Sequence, residues 1–171
     1  MAPLFVLIFV TLLLRVVGLR VTTLSGWHPA LRGGLAAMFT FTGVSHFVGM
    51  REDLIAMVPP ALPYPGLLVS LTGLLEFAGA AGLLHRRTAP WAAGGLALLL
   101  FALFPANVYA ALEGLTLNGS PAMDLLPRTA LQLVFLAAVL AVLRRYLPGR
   151  RPSSPEQDAT PQPDPVARVS A

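Results

Sequence analysis

Five apolar runs constrain this chain more than any other feature. They cover about Pro3 to Leu24, Ala30 to Met50, Gly66 to Leu84, Ala89 to Leu112 and Ala122 to Tyr146. Each approaches or exceeds the ~20 residues that carry a helix across roughly 30 Å of hydrocarbon. In lipid a single segment must satisfy its own backbone hydrogen bonds, which helices do and isolated strands cannot. The sequence therefore predicts an all-α fold, a polytopic transmembrane bundle. The composition agrees, with 56% hydrophobic and 12% charged residues, where soluble domains carry roughly 25% charged.

Charge excludes one function class and suggests an orientation. The net charge is +4 and the chain has no lysine. Its arginines stand mainly at the ends of the apolar runs, not on a basic face, which argues against nucleic-acid binding. No positive charge precedes the first run and no small-x-small site follows it, so it reads as a retained anchor rather than a signal peptide. With the N-terminus outside, the inner side receives Arg20, Arg32, Arg86, Arg87, Arg144, Arg145, Arg150 and Arg151. The outer side receives only Arg51 and Arg128, so the positive-inside rule favours five spans with the C-terminus in the cytoplasm. Arg15 lies within the first run, either snorkelling or paired, and snorkelling is favoured.

Three parts follow: an N-terminal helix and loop (1–29), a four-helix unit (30–147) and a tail (148–171). The tail is rich in Pro, Ser, Gln and Asp and is expected to be disordered. The absence of cysteine rules out thiolate and disulfide chemistry. No metal site is expected.

Glu76 stands near the middle of LLVSLTGLLEFAGAAGLL. An ionisable group at that depth is costly and marks a functional site unless a structural hydrogen bond accounts for it. It lies about ten residues along its helix, roughly 15 Å deep. In the preceding run Ala36, Thr40, Gly43 and His46 share a face by their spacing. Gly73, Glu76, Gly79 or Ala80, and Leu83 repeat the idea. The small residues of both stripes suit close helix packing. His46 reads equally as an interfacial histidine or a site residue.

Pro105 interrupts the fourth run and should displace the Phe101 carbonyl, with Asn107 and Tyr109 close behind. Arg128 and Gln132 share a face of the fifth. By sequence Arg128 can reach Asp124, Glu113 or Glu76. The candidate polar pocket is thus His46, Glu76, Asn107, Arg128 and Gln132. Between the second and third runs lies MVPPALPYPG, with four prolines in seven positions. Those prolines forbid a regular helix. The segment is either an interfacial loop or an outer lid carrying Met57, Pro59, Pro60 and Tyr64.

The ordered set GVSHF, MVPPALP, SLTGLLEFAGAAGLL, FPANVYAAL and RTALQ resembles the DoxX family of small bacterial membrane proteins. The resemblance spans about Gly33 to Leu143 and leaves the first run outside. It implies a DoxX-like four-helix unit in the bacterial inner membrane, with the five pocket residues at recurring polar positions. Members have been linked to a quinone-reducing thiosulfate oxidoreductase and to oxidative-stress complexes, and a eukaryotic branch assists receptor assembly.

Two functions are expected to compete. One is a redox-associated membrane subunit that binds a quinone and takes electrons from a partner oxidoreductase. The other is a non-catalytic assembly factor or structural subunit. A proton-coupled transporter fits less well, because inverted symmetry is lacking and only one acid lies deep.

Overall fold

In the computed structural model, residues 1–21, 26–117 and 119–147 are described. The C-terminal segment Pro148–Ala171, expected to be disordered, lies outside them. Six helices form among the described residues: α1 (Ala2–Val17), α2 (Trp27–Ser45), α3 (Arg51–Ala56), α4 (Pro65–Leu84), α5 (Ala89–Leu112) and α6 (Leu125–Arg144). A two-stranded antiparallel hairpin, β1 (Thr116–Leu117) and β2 (Ser120–Pro121), joins α5 to α6.

Three helices, α4, α5 and α6, are long and apolar enough to cross a membrane. Of the five expected spans these three meet that description; α1 is only 16 residues long, and α2 carries His28 and Arg32 within its 19 residues. α1 ends at Gly18, whose amide caps the Leu14 carbonyl. α2 starts earlier than the apolar run, at Trp27, after Gly26 adopts a φ of 105° that glycine tolerates. It ends at Ser45, and the chain turns through Gly49 into α3, a short helix that the sequence pattern had not suggested.

Helices α2, α4, α5 and α6 form a ring in that order, with α1 lying along α2. The α2–α6 seam is the loosest in the ring. Two close approaches rest on missing side chains. A Cβ on Gly34 would come within 2.9 Å of the Leu7 carbonyl oxygen, so α1 can lie directly on α2. A Cβ on Gly73 would come within 2.6 Å of the His46 Cβ, so this glycine seats the histidine against α4.

The bundle has two unlike halves. At one end stand the α2 N-terminus and the α4 and α6 C-termini, with Arg20, Arg86, Arg87, Arg144 and Arg145 exposed. Leu35, Leu83, Ala89, Ala93, Leu96, Val139 and Val142 fill the centre of this basic half at 0–1% exposure. Arg32 is buried there, donating from Nε to the Leu83 carbonyl and from Nη2 to the Leu84 carbonyl, both at 2.7 Å. It thereby satisfies carbonyls that the end of α4 leaves without helical partners. Arg15 is paired: its guanidinium lies 5.5 Å from the centre of the Trp27 ring. The other half, which holds α3 and the hairpin, is hollow.

A candidate polar cavity

A cavity of about 510 Å³ occupies the α3 half of the ring. Met38, Phe39, Val69, Leu100, Leu103 and Phe135 give it apolar walls. Two groups of polar side chains face it from different helices.

The first group joins α2 to α4. Thr42 Oγ1 donates to Glu76 Oε2 at 2.7 Å. His46 Nδ1 donates to the Thr42 carbonyl at 3.0 Å and stands 3.8 Å from the same Glu76 oxygen. A proton on Nδ1 leaves Nε2 as the acceptor of the neutral ring. Glu76 is 4% exposed, so the carboxyl group is enclosed by protein rather than turned to the outer surface of α4. It stands eleven positions after Pro65, the first residue of α4, which sets it roughly 16 Å along the helix.

The second group joins α5 to α6. Arg128 donates from Nη1 to Asn107 Oδ1 at 3.0 Å and from Nε to the Met123 carbonyl at 3.4 Å. Asn107 Nδ2 donates to Gln132 Oε1 at 3.4 Å. Gln132 Nε2 in turn donates to the Leu100 carbonyl. That carbonyl lies one residue before the Phe101 carbonyl that Pro105 was expected to displace. Arg128 forms no ion pair with Asp124, Glu113 or Glu76 among the described residues; an amide and a carbonyl take their place.

All five expected pocket residues line this one cavity. Met57 and Pro59 also line it, as part of a cover that includes Met50 just before α3, Leu54 within it, and Val58 and Leu62 in the following loop. Pro60 and Tyr64 are not among the lining residues. Tyr64 instead caps α4 at a φ of 54°, with its side chain 75% exposed. Thr40 is exposed and donates to the Ala36 carbonyl of its own helix.

Sequence reasoning missed Thr42, although it lies four residues before His46 and so shares its face. It missed Arg51 as a tie. This residue donates from Nη1 to the His46 carbonyl at 3.1 Å and from Nη2 to the Gly66 carbonyl at 3.2 Å, joining the end of α2 to the start of α4.

Residues 35–143 match the model of a family described as "Domain of unknown function (DUF8561)". The chain belongs to that family. The DUF8561 segment holds all five pocket residues and excludes α1. No curated protein and no solved structure matches the chain.

Proposed function

We propose that this protein is a redox-associated subunit of the bacterial inner membrane, related to the DoxX proteins, whose cavity binds the head of a quinone. In this reading α1 and α2 cross the membrane with the other three helices, the N-terminus is outside and the C-terminus cytoplasmic. One observation carries the proposal: two polar groups on separate helix pairs, Thr42–His46–Glu76 and Asn107–Arg128–Gln132, line a single apolar-walled cavity. Binding sites for small amphipathic molecules have this character, mostly apolar with a few convergent polar groups. A quinone ring presents two carbonyl oxygens on opposite sides. Arg128, Asn107 and Gln132 supply donors for one, while His46 and Glu76 can pass protons at the other. With no cysteine in the chain, electrons come from a partner oxidoreductase in this proposal.

The test is equilibrium binding of decylubiquinone to the full-length protein in lipid nanodiscs. Glu76→Gln and Arg128→Met should each weaken binding by about tenfold or more, equivalent to roughly 1.4 kcal/mol. Failure of the parent protein to bind, or unchanged affinity in both variants, would overturn the reading.

A second reading, a structural or assembly subunit, draws on a different aspect of the same contacts. Both polar groups are bonded within themselves and tie helices together, α2 to α4 and α5 to α6. In that case the same substitutions would lower stability or disrupt assembly without any effect on ligand binding.

A further inference from the structure

The ring of α2, α4, α5 and α6 is closed tightly everywhere except between α2 and α6. α1 packs along α2 and touches α6 little, yet two of its residues reach the interior. Its Pro3 lines the cavity together with Gln132 and Phe135 of α6. Its Leu7, 5% exposed, belongs to the same buried cluster as Met38 of α2 and Val139 of α6.

α1 is held unequally along its length. Near its C-terminal end, Leu14 packs into the space left by Gly33, Thr11 lies against Gly34, and Arg15 rests over Trp27. Around Pro3 the neighbouring Met1, Ala2 and Phe5 are exposed. The contacts from Leu7 to Arg15 thus hold the helix to α2, and the residues before Leu7 end at the cavity, which Pro3 lines. The DUF8561 segment begins at residue 35, so α1 lies outside it.

We infer that α1 is a movable cover over a lateral opening between α2 and α6, through which an apolar, lipid-dissolved molecule with a compact polar head enters the cavity. The inference rests on the cavity being a ligand site as proposed above, but it concerns the route and not the identity of the ligand. A route through the membrane phase suits such a molecule, because its tail stays in hydrocarbon while its head moves between polar partners. Moving the first turn of α1 uncovers the cavity beside Pro3 and leaves the contacts of Leu7 and Thr11 with Gly34, and of Arg15 with Trp27, in place. No backbone hydrogen bond within the ring has to break.

The absence of cysteine makes the test clean. A single reporter, Met38→Cys, is placed on the α2 wall of the cavity in the full-length protein in nanodiscs. Labelling is timed with N-ethylmaleimide, which dissolves in the bilayer, and with a sulfonated maleimide, which does not. Adding Leu7→Ala should raise the rate with N-ethylmaleimide at least fivefold and leave the sulfonated reagent slow. Pro3→Trp should lower the N-ethylmaleimide rate. Phe9→Ala, on the exposed face of α1, should change neither. Should Leu7→Ala disturb folding, both reagents would speed up together, and Pro3→Trp then decides. Rates indifferent to Pro3→Trp, or a sulfonated reagent as fast as N-ethylmaleimide in the folded parent, would overturn the inference and place the entrance under the α3 loop. Decylubiquinone failing to bind while the labelling pattern holds would remove the quinone reading alone.

Discussion

The two halves of this bundle use the same helices for opposite ends. In the basic half, inward positions carry Leu35, Leu83, Leu96 and Val139, all at 0–1% exposure. In the α3 half, inward positions carry Thr42, Glu76, Asn107 and Gln132, and the centre is a cavity. Arg32 in the basic half and Arg128 in the α3 half both reach across helices, to different ends. Arg32 ends on two backbone carbonyls of α4 and completes the helix terminus. Arg128 ends on a side-chain amide and one carbonyl at the cavity wall, where a ligand can compete for it. Helix length and hydropathy scarcely distinguish the halves. Residue size and the partner given to each polar group do.

The sharpest way to break this contrast is to remove the same bulk from each half. Leu83→Ala in the filled half should cost about 2–5 kcal/mol, because a tightly packed site collapses poorly around a new void. Leu103→Ala at the cavity wall should cost clearly less, since this side chain is half-buried and has fewer packing contacts to lose. Thermal unfolding in one detergent gives the comparison, and equal losses would deny that the halves differ.

The paired arginines come next. Arg32→Met removes two charge-assisted hydrogen bonds and should cost about 3 kcal/mol. Arg128→Met should lower stability by about 1 kcal/mol or less, its main effect falling on decylubiquinone binding. The reverse order of melting temperatures would assign the structural role to the cavity arginine.

Much of this was legible before any coordinates. α4 and α5 begin and end within one residue of their apolar runs, because prolines at Pro65 and Pro90 mark their first turns and polar residues follow both. His46, Glu76, Asn107, Arg128 and Gln132 stood out as polar groups in apolar surroundings, and all line one cavity. What sequence could not supply was pairing between helices. Thr42 looked like one more small polar residue until α4 brought Glu76 to its hydroxyl. Arg32 read as a topology charge, since nothing in its neighbourhood revealed that the end of α4 would arrive beside it. The role of α1 was open for the same reason. Its apolar run gave length but not the seam it covers.

A smaller effect sharpens the distinction within the cavity. Thr42→Val should alter stability by only about 0.6 kcal/mol, the average for a hydrogen bond between membrane helices. It should nevertheless change ligand affinity, because Glu76 loses the donor that fixes its carboxylate. A variant that melts far lower yet binds normally would make Thr42 a purely structural tie.

The most direct test of the whole account is infrared difference spectroscopy in the carboxyl-stretch region, recorded as decylubiquinone is added to the protein in nanodiscs. If the enclosed carboxyl group of Glu76 meets the ligand, a carboxyl band should shift on addition, and that change should vanish in Glu76→Gln. A band change that persists in the variant, or none in the parent at saturating ligand, would contradict the claim that this cavity is where the protein works.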